Sequence, residues 1–185
     1  MHFSKCSHLS YPERSRLSYP ERSRREEMIQ RKVLTKEQAL QKIRHYCAYQ
    51  ERCHNEVKEK LYGFGLHRGE VDGLLSHLIE NNYLNEERFA CQYAGGKFRI
   101  NQWGRNKIVY ALRQKGVSTY CINKGLKEIK EEDYERILLK LAMAKWSSLK
   151  SEQYLTRQAK AFAYLQQKGF EPNLISAAIK QLKEK

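Results

Sequence analysis

The chain has 185 residues, with 35 Lys and Arg against 21 Asp and Glu, a formal charge of +14. Hydrophobic residues make up 41%, which excludes wholesale disorder, and 10 Gly with 3 Pro are too few for an all-β sandwich full of tight turns. No run approaches the roughly 18 apolar residues of a membrane span, and the N-terminus lacks the apolar stretch of a secretory signal, so a soluble, cytoplasmic, basic protein is expected.

In chain order, residues 1–34 come first. Leu9 to Arg16 repeats letter for letter as Leu17 to Arg24, each copy with one Pro and rich in Arg and Ser. Such a segment buries little, so a disordered basic tail is expected. From Thr35 onward the pattern is helical. Ala39, Ile43 and Tyr46 make one apolar stripe, Ile108, Ala111 and Leu112 another, and Ile137, Leu138, Leu141 and Ala142 a third. The polar stretch 146–156 reads as a loop that lets the last part of the chain move against the middle.

The stripes belong to an internal repeat. Leu61, Leu112 and Leu165 are each followed at +4 by Gly (Gly65, Gly116, Gly169). Apolar residues then stand at +5, +10, +14 and +17 in all three copies, down to Leu78, Ile129 and Leu182. Gly just after a helix supplies the left-handed cap, and the apolar residue after it pins the turn to a core. Ser118 opens the next helix as a cap, Pro172 suits a first helical turn, and Asn85 caps a helix whose first turn holds Glu86 and Glu87. A further amphipathic segment precedes each Leu, at about 36–49, 86–100 and 134–146. The expected fold is therefore all-α, with three tandem three-helix repeats at 35–84, 85–133 and 134–185. A single unit of this size has a small core, so the units should stack into an elongated, curved array.

The two helices around each Gly also mimic a helix-turn-helix. The second helices begin His67-Arg68-Gly69-Glu70, Ser118-Thr119-Tyr120-Cys121 and Glu171-Pro172-Asn173, which offer few side chains to base edges. Packing is the expected role of these pairs. Charge is uneven: residues 85–131 hold ten basic and four acidic residues, and 35–84 hold equal numbers. The candidate contact surface is thus Lys97, Arg99, Arg105, Lys107, Arg113 and Lys115 with Trp103 among them. With Ile108, Ala111 and Leu112 facing the core, Arg105, Lys107 and Arg113 are expected to face solvent and meet phosphates or an acidic protein face.

The five cysteines include no CxxC pair, which fits a reducing compartment and no disulfide framework. His45, Cys47, Cys53 and His54 match no usual zinc-ligand spacing, so no metal site is expected. There is no GxxxxGK[ST], HExxH or GxSxG, so neither a catalytic constellation nor a cofactor is expected.

Tyr83-Leu84-Asn85-Glu86-Glu87-Arg88-Phe89-Ala90 resembles the "YLDDERFA" signature of the RecX regulatory proteins. Gly104-Arg105-Asn106-Lys107-Ile108, with Leu112 to Val117, resembles that family's "GxxxI…LRQKGV" stretch. Glu51 to Leu61 is similar to its "R-x-x-S-x-x-E-L" opening, with His54 where Ser is usual. The resemblance covers about residues 36–185 and leaves out the duplicated tail. It implies tandem three-helix repeats and a partner, the RecA recombinase. Proteins of this family lie along the groove of the RecA–DNA filament and damp filament growth, strand exchange, ATP hydrolysis and co-protease activity. The expectation is a monomeric, non-enzymatic filament regulator. The alternative is a sequence-nonspecific DNA binder acting through its helix-turn-helix-like units alone.

Overall fold

The computed structural model describes residues 33–183, and these contain nine helices and no strand. The first unit is α1 (Lys36–Tyr49), α2 (His54–Gly63) and α3 (Arg68–Glu80). The second is α4 (Glu86–Asn101), α5 (Arg105–Gln114) and α6 (Thr119–Leu126), and the third is α7 (Glu131–Ser148), α8 (Tyr154–Lys168) and α9 (Pro172–Lys183). Helices pack chiefly against others of their own unit.

The repeat dictates the turns. Gly65, Gly116 and Gly169 have φ of 83°, 74° and 93°, and they are the described glycines in the left-handed region. An L side chain there meets its own carbonyl, so Gly is what the turn requires. Each third helix opens on a cap or a proline. The Ser118 hydroxyl accepts from the Cys121 amide, and Pro172 is the first residue of α9. Asn85 caps α4 by accepting from the Arg88 amide at 2.9 Å, and Glu86 and Glu87 lie in the first turn, where the helix dipole favours them.

Two cores result. Ala39, Ile43, Val57, Leu61, Val71 and Leu78 anchor the first, within α1–α3. The second runs without a break through α4–α9, from Phe89 and Ile108 to Tyr134, Leu165 and Ile175. Cys47 rather than Tyr46 is the buried partner of Ala39 and Ile43, and on α7 the buried face includes Tyr134 and Trp146 while Ile137 is half-buried.

The units dock by one repeated device. At the first junction, Asn55 at the start of α2 donates Nδ2 to the Lys115 carbonyl at 3.1 Å, beside the Gly116 turn. At the second, the Gly104 amide donates to the Lys168 carbonyl at 2.8 Å and the Asn106 amide to Gly169 at 3.1 Å. Asn106 stands 51 residues after Asn55, the offset between Gly65 and Gly116. The Gly turn of one unit therefore seats on the start of the second helix of the unit before it. On the Gly65 turn, residues 33–34 take that place: Leu34 donates to the Phe64 carbonyl at 3.1 Å, and Val33 lies against Gly65.

The tail expected over 1–34 lies outside the described residues up to 32, and residues 33–34 rest on the first unit. Two expectations are corrected. The third unit starts at Glu131, where α7 begins, rather than at 134. The expected loop over 146–156 is mostly helix; only 149–153 connects α7 to α8. That connection lies inside the third unit, so it is no hinge between the second and third. Trp146 is buried, and Arg157 holds it by donating Nε to its carbonyl at 2.8 Å with the guanidinium 4.2 Å from its ring centre.

Candidate functional site

The second unit carries the cations that the sequence singles out, and the structure divides them. Gly104 caps α5, and Ile108 and Leu112 turn fully into the core. That fixes the azimuth of the rest of α5. Arg113, in its last turn, is exposed, as is Arg99 in the last turn of α4. The side chain of neither makes a hydrogen bond, ion pair or ring contact among the described residues. Gly95, one turn before Arg99, has no side chain, and a Cβ there would sit 2.9 Å from Arg99 Nη1.

Lys97, Trp103, Lys107 and Lys115 form one row of cation–ring contacts with a ring the sequence reading missed, Tyr93. Lys97 Nζ is 5.3 Å from the Tyr93 ring centre and 5.1 Å from that of Trp103. Lys115 approaches Tyr93 to 5.7 Å, and Lys107 approaches Trp103 to 4.9 Å. Cation and ring alternate in the order Lys115, Tyr93, Lys97, Trp103, Lys107. Each such contact contributes about 0.5–1 kcal/mol at an exposed site. Burial raises the Tyr93 phenol above its ordinary value, with Lys115 opposing. The available signal was the i, i+4 spacing of Tyr93 and Lys97 on α4, which puts them on one face.

The ends of this ladder also fasten the array. Lys115 Nζ pairs with Glu56 Oε1 of the first unit at 2.5 Å, which holds its ammonium above its ordinary pKa. Lys107 Nζ donates to the Gln167 carbonyl of the third unit at 3.1 Å. Trp103 is half-buried and packs on the second core.

Arg105 is the clear departure from expectation. It does not face solvent; it is spent on the junction with the third unit. Its guanidinium pairs with Glu131 at 2.5 Å and lies 4.1 Å from the Tyr134 ring centre, and its amide donates to Tyr134 Oη at 3.0 Å. Tyr134 is fully buried and donates its hydroxyl to Glu171 Oε2 at 2.5 Å. Burial, then the Glu171 carboxylate, push that phenol well above its ordinary range, so it stays a donor. Lys107 is likewise half committed. The cause is register between units, which local periodicity does not carry.

The signature residues acquire a physical meaning. Leu84, Phe89 and Ala90 are buried. Arg88 donates Nε to Glu51 Oε1 at 2.5 Å and its other nitrogens to Asn82, tying α4 to the α1–α2 connection. Glu86 accepts from the Ser118 hydroxyl at 2.8 Å and from its amide at 3.3 Å, joining the starts of α4 and α6.

Two segments match family models: residues 85–126 the second three-helix domain of RecX, and 131–179 the third. The chain is 35% identical over 130 residues to regulatory protein RecX of Clostridium perfringens (strain 13 / Type A), covering 69% of this chain and 60% of that protein. The chain belongs to the RecX family. Over 139 residues it is 28% identical to regulatory protein RecX of Bacillus cytotoxicus, covering 75% of this chain and 52% of that one. It therefore spans about half to three fifths of the length of these RecX relatives. The crystal structure of RecX from Lactobacillus salivarius shares its fold, with a TM-score of 0.74 at 21% identity over 81% of this chain and 97% of that one. A second RecX crystal structure superposes with a TM-score of 0.71 at 19% identity.

Proposed function

We propose that this chain regulates a RecA recombinase filament, binding it and damping filament growth, ATP turnover and co-protease activity without catalysing a reaction itself. The supporting observation is a RecX-type array whose second unit presents the Arg99 and Arg113 guanidiniums without a partner among the described residues. Free guanidiniums on a surface held rigid at both junctions are suited to phosphates or to carboxylates of a filament. The reading includes a cytoplasmic monomer. None of the described helices is long and apolar enough to cross a membrane.

The half-exposed Trp103 and Tyr93 rings favour a second reading, in which the chain binds DNA without the recombinase. One experiment separates the two: titrating this protein into the DNA-stimulated ATP hydrolysis of RecA. A filament regulator inhibits well below one molecule per recombinase. Inhibition only at amounts that coat the DNA supports the plain binder.

A further inference from the structure

We infer that Gly95 is a positioning residue for Arg99: the side chain it lacks leaves a seat on α4 in which the Arg99 guanidinium lies, and this seat sets how Arg99 meets its partner. The inference rests on the filament reading and names a residue that the reading does not.

Helix geometry brings the two residues together. A long side chain in a helix leans toward the N-terminus, over the residue four positions before it. For Arg99 that residue is Gly95. Gly95 is itself buried, while Arg99 is exposed. The atoms nearest to a Cβ at Gly95 all belong to the Arg99 guanidinium: Nη1 at 2.9 Å, Nη2 at 3.0 Å and Cζ at 3.2 Å. The group as a whole, rather than one atom of it, uses the space that glycine leaves. Any other residue at 95 would displace it. The guanidinium is the free end of a flexible chain, so it would swing away and the helix itself would not have to give.

Gly96 shows that the two neighbouring glycines differ. A methyl at Gly96 would meet nothing within 4 Å. Glycine inside a helix costs stability at either place, and of the two it is Gly95 whose missing side chain makes room for a cation. Arg113, the other free guanidinium, has Val109 at the same offset, and a branched side chain offers no such seat.

The consequence is preorganisation. A guanidinium presents its donors in a fixed planar fork, suited to two oxygens of one anionic group. A fork already laid against the helix loses less freedom on binding than one at the end of a free chain, and the difference appears as affinity. No hydrogen bond or ion pair holds the Arg99 side chain among the described residues, so its donors stay available to the partner.

The test compares Gly95→Ala with Gly96→Ala, each in the full chain, against DNA-stimulated ATP hydrolysis by RecA. Both substitutions gain helix propensity, so neither should lower the urea midpoint. Gly96→Ala should inhibit like wild type. Gly95→Ala should need about three- to tenfold more protein, the cost of ordering one long side chain on binding. In an Arg99→Glu background Gly95→Ala should change nothing further, because its effect runs through Arg99. The heteronuclear Overhauser effect of the Nε–Hε group, read without RecA, should be higher for Arg99 than for Arg113 in wild type and fall to the Arg113 level in Gly95→Ala. Equal values in wild type, inhibition by Gly95→Ala at wild-type amounts, or a further loss in the Arg99→Glu background would each overturn the proposal. If wild type leaves RecA unaffected while the Arg99 signal behaves as stated, the filament reading falls and the seat remains.

Discussion

Gly104 has an ordinary φ of −74°, so alanine there strains no backbone. Its Cβ would nevertheless sit 2.2 Å from the Gly169 carbonyl carbon. Overpacking against backbone cannot be relieved by a rotamer change, so Gly104→Ala should cost about 3 kcal/mol through the junction of the second and third units. Gly96 is the control: it lies inside α4, a methyl added there would meet nothing within 4 Å, and alanine should stabilise by about 0.5–1 kcal/mol. Urea midpoints of the two variants should therefore move in opposite directions; a shared direction would mean that the docking contact is not tight. Tyr134→Phe probes the same junction more gently. It removes the acceptor of the Arg105 amide and should cost about 1–3 kcal/mol, read as a lower thermal midpoint. At this scale the sequence was partly legible. The repeated Gly at +4 announced three left-handed turns, because that demand is local. The fate of Arg105 and Lys107 was not legible, because their partners Glu131 and Gln167 lie 26 and 60 residues away.

Helix starts carry the pH dependence. Burial alone would raise the Glu86 carboxyl, but the Ser118 hydroxyl and amide outweigh it and hold Glu86 below its ordinary value. Glu131, at the start of α7, is lowered chiefly by the Arg105 hydrogen bond. A carboxyl whose folded pKa lies below its unfolded one stabilises fully above the unfolded value, about 4.3 for Glu. That stability is lost as pH falls through the lower folded value. Urea stability should hold near neutrality and fall as pH drops below about 5. Ser118→Ala and Glu131→Gln should each flatten that fall; an unchanged acid limb in both would remove these carboxylates from the account. The elements themselves were readable because caps, periodicity and left-handed turns are local. The end of α7 was not, since Ser147 and Ser148 look like loop but continue a helix anchored by Trp146 packing and by Arg157.

On the scale of the whole molecule, the two cores predict unequal coupling. Val57 lies in the first core, fully buried, and Ile175 in the second. Val57→Ala should raise amide hydrogen exchange across α1–α3 and leave α7–α9 protected. Ile175→Ala should raise exchange in both the second and third units, because one core serves both. Confinement of its effect to α7–α9 would contradict a shared core. Such a frame gives the second unit a fixed orientation, with Lys107 and Lys115 holding its two ends and Arg99 and Arg113 left outward. The central claim is that these free guanidiniums meet the recombinase filament. The most direct test is RecA ATP hydrolysis titrated with wild type and with Arg99→Glu plus Arg113→Glu, after confirming equal urea midpoints. The account predicts sub-stoichiometric inhibition by wild type and a need for at least about tenfold more of the double variant. Equal inhibition by both would contradict it.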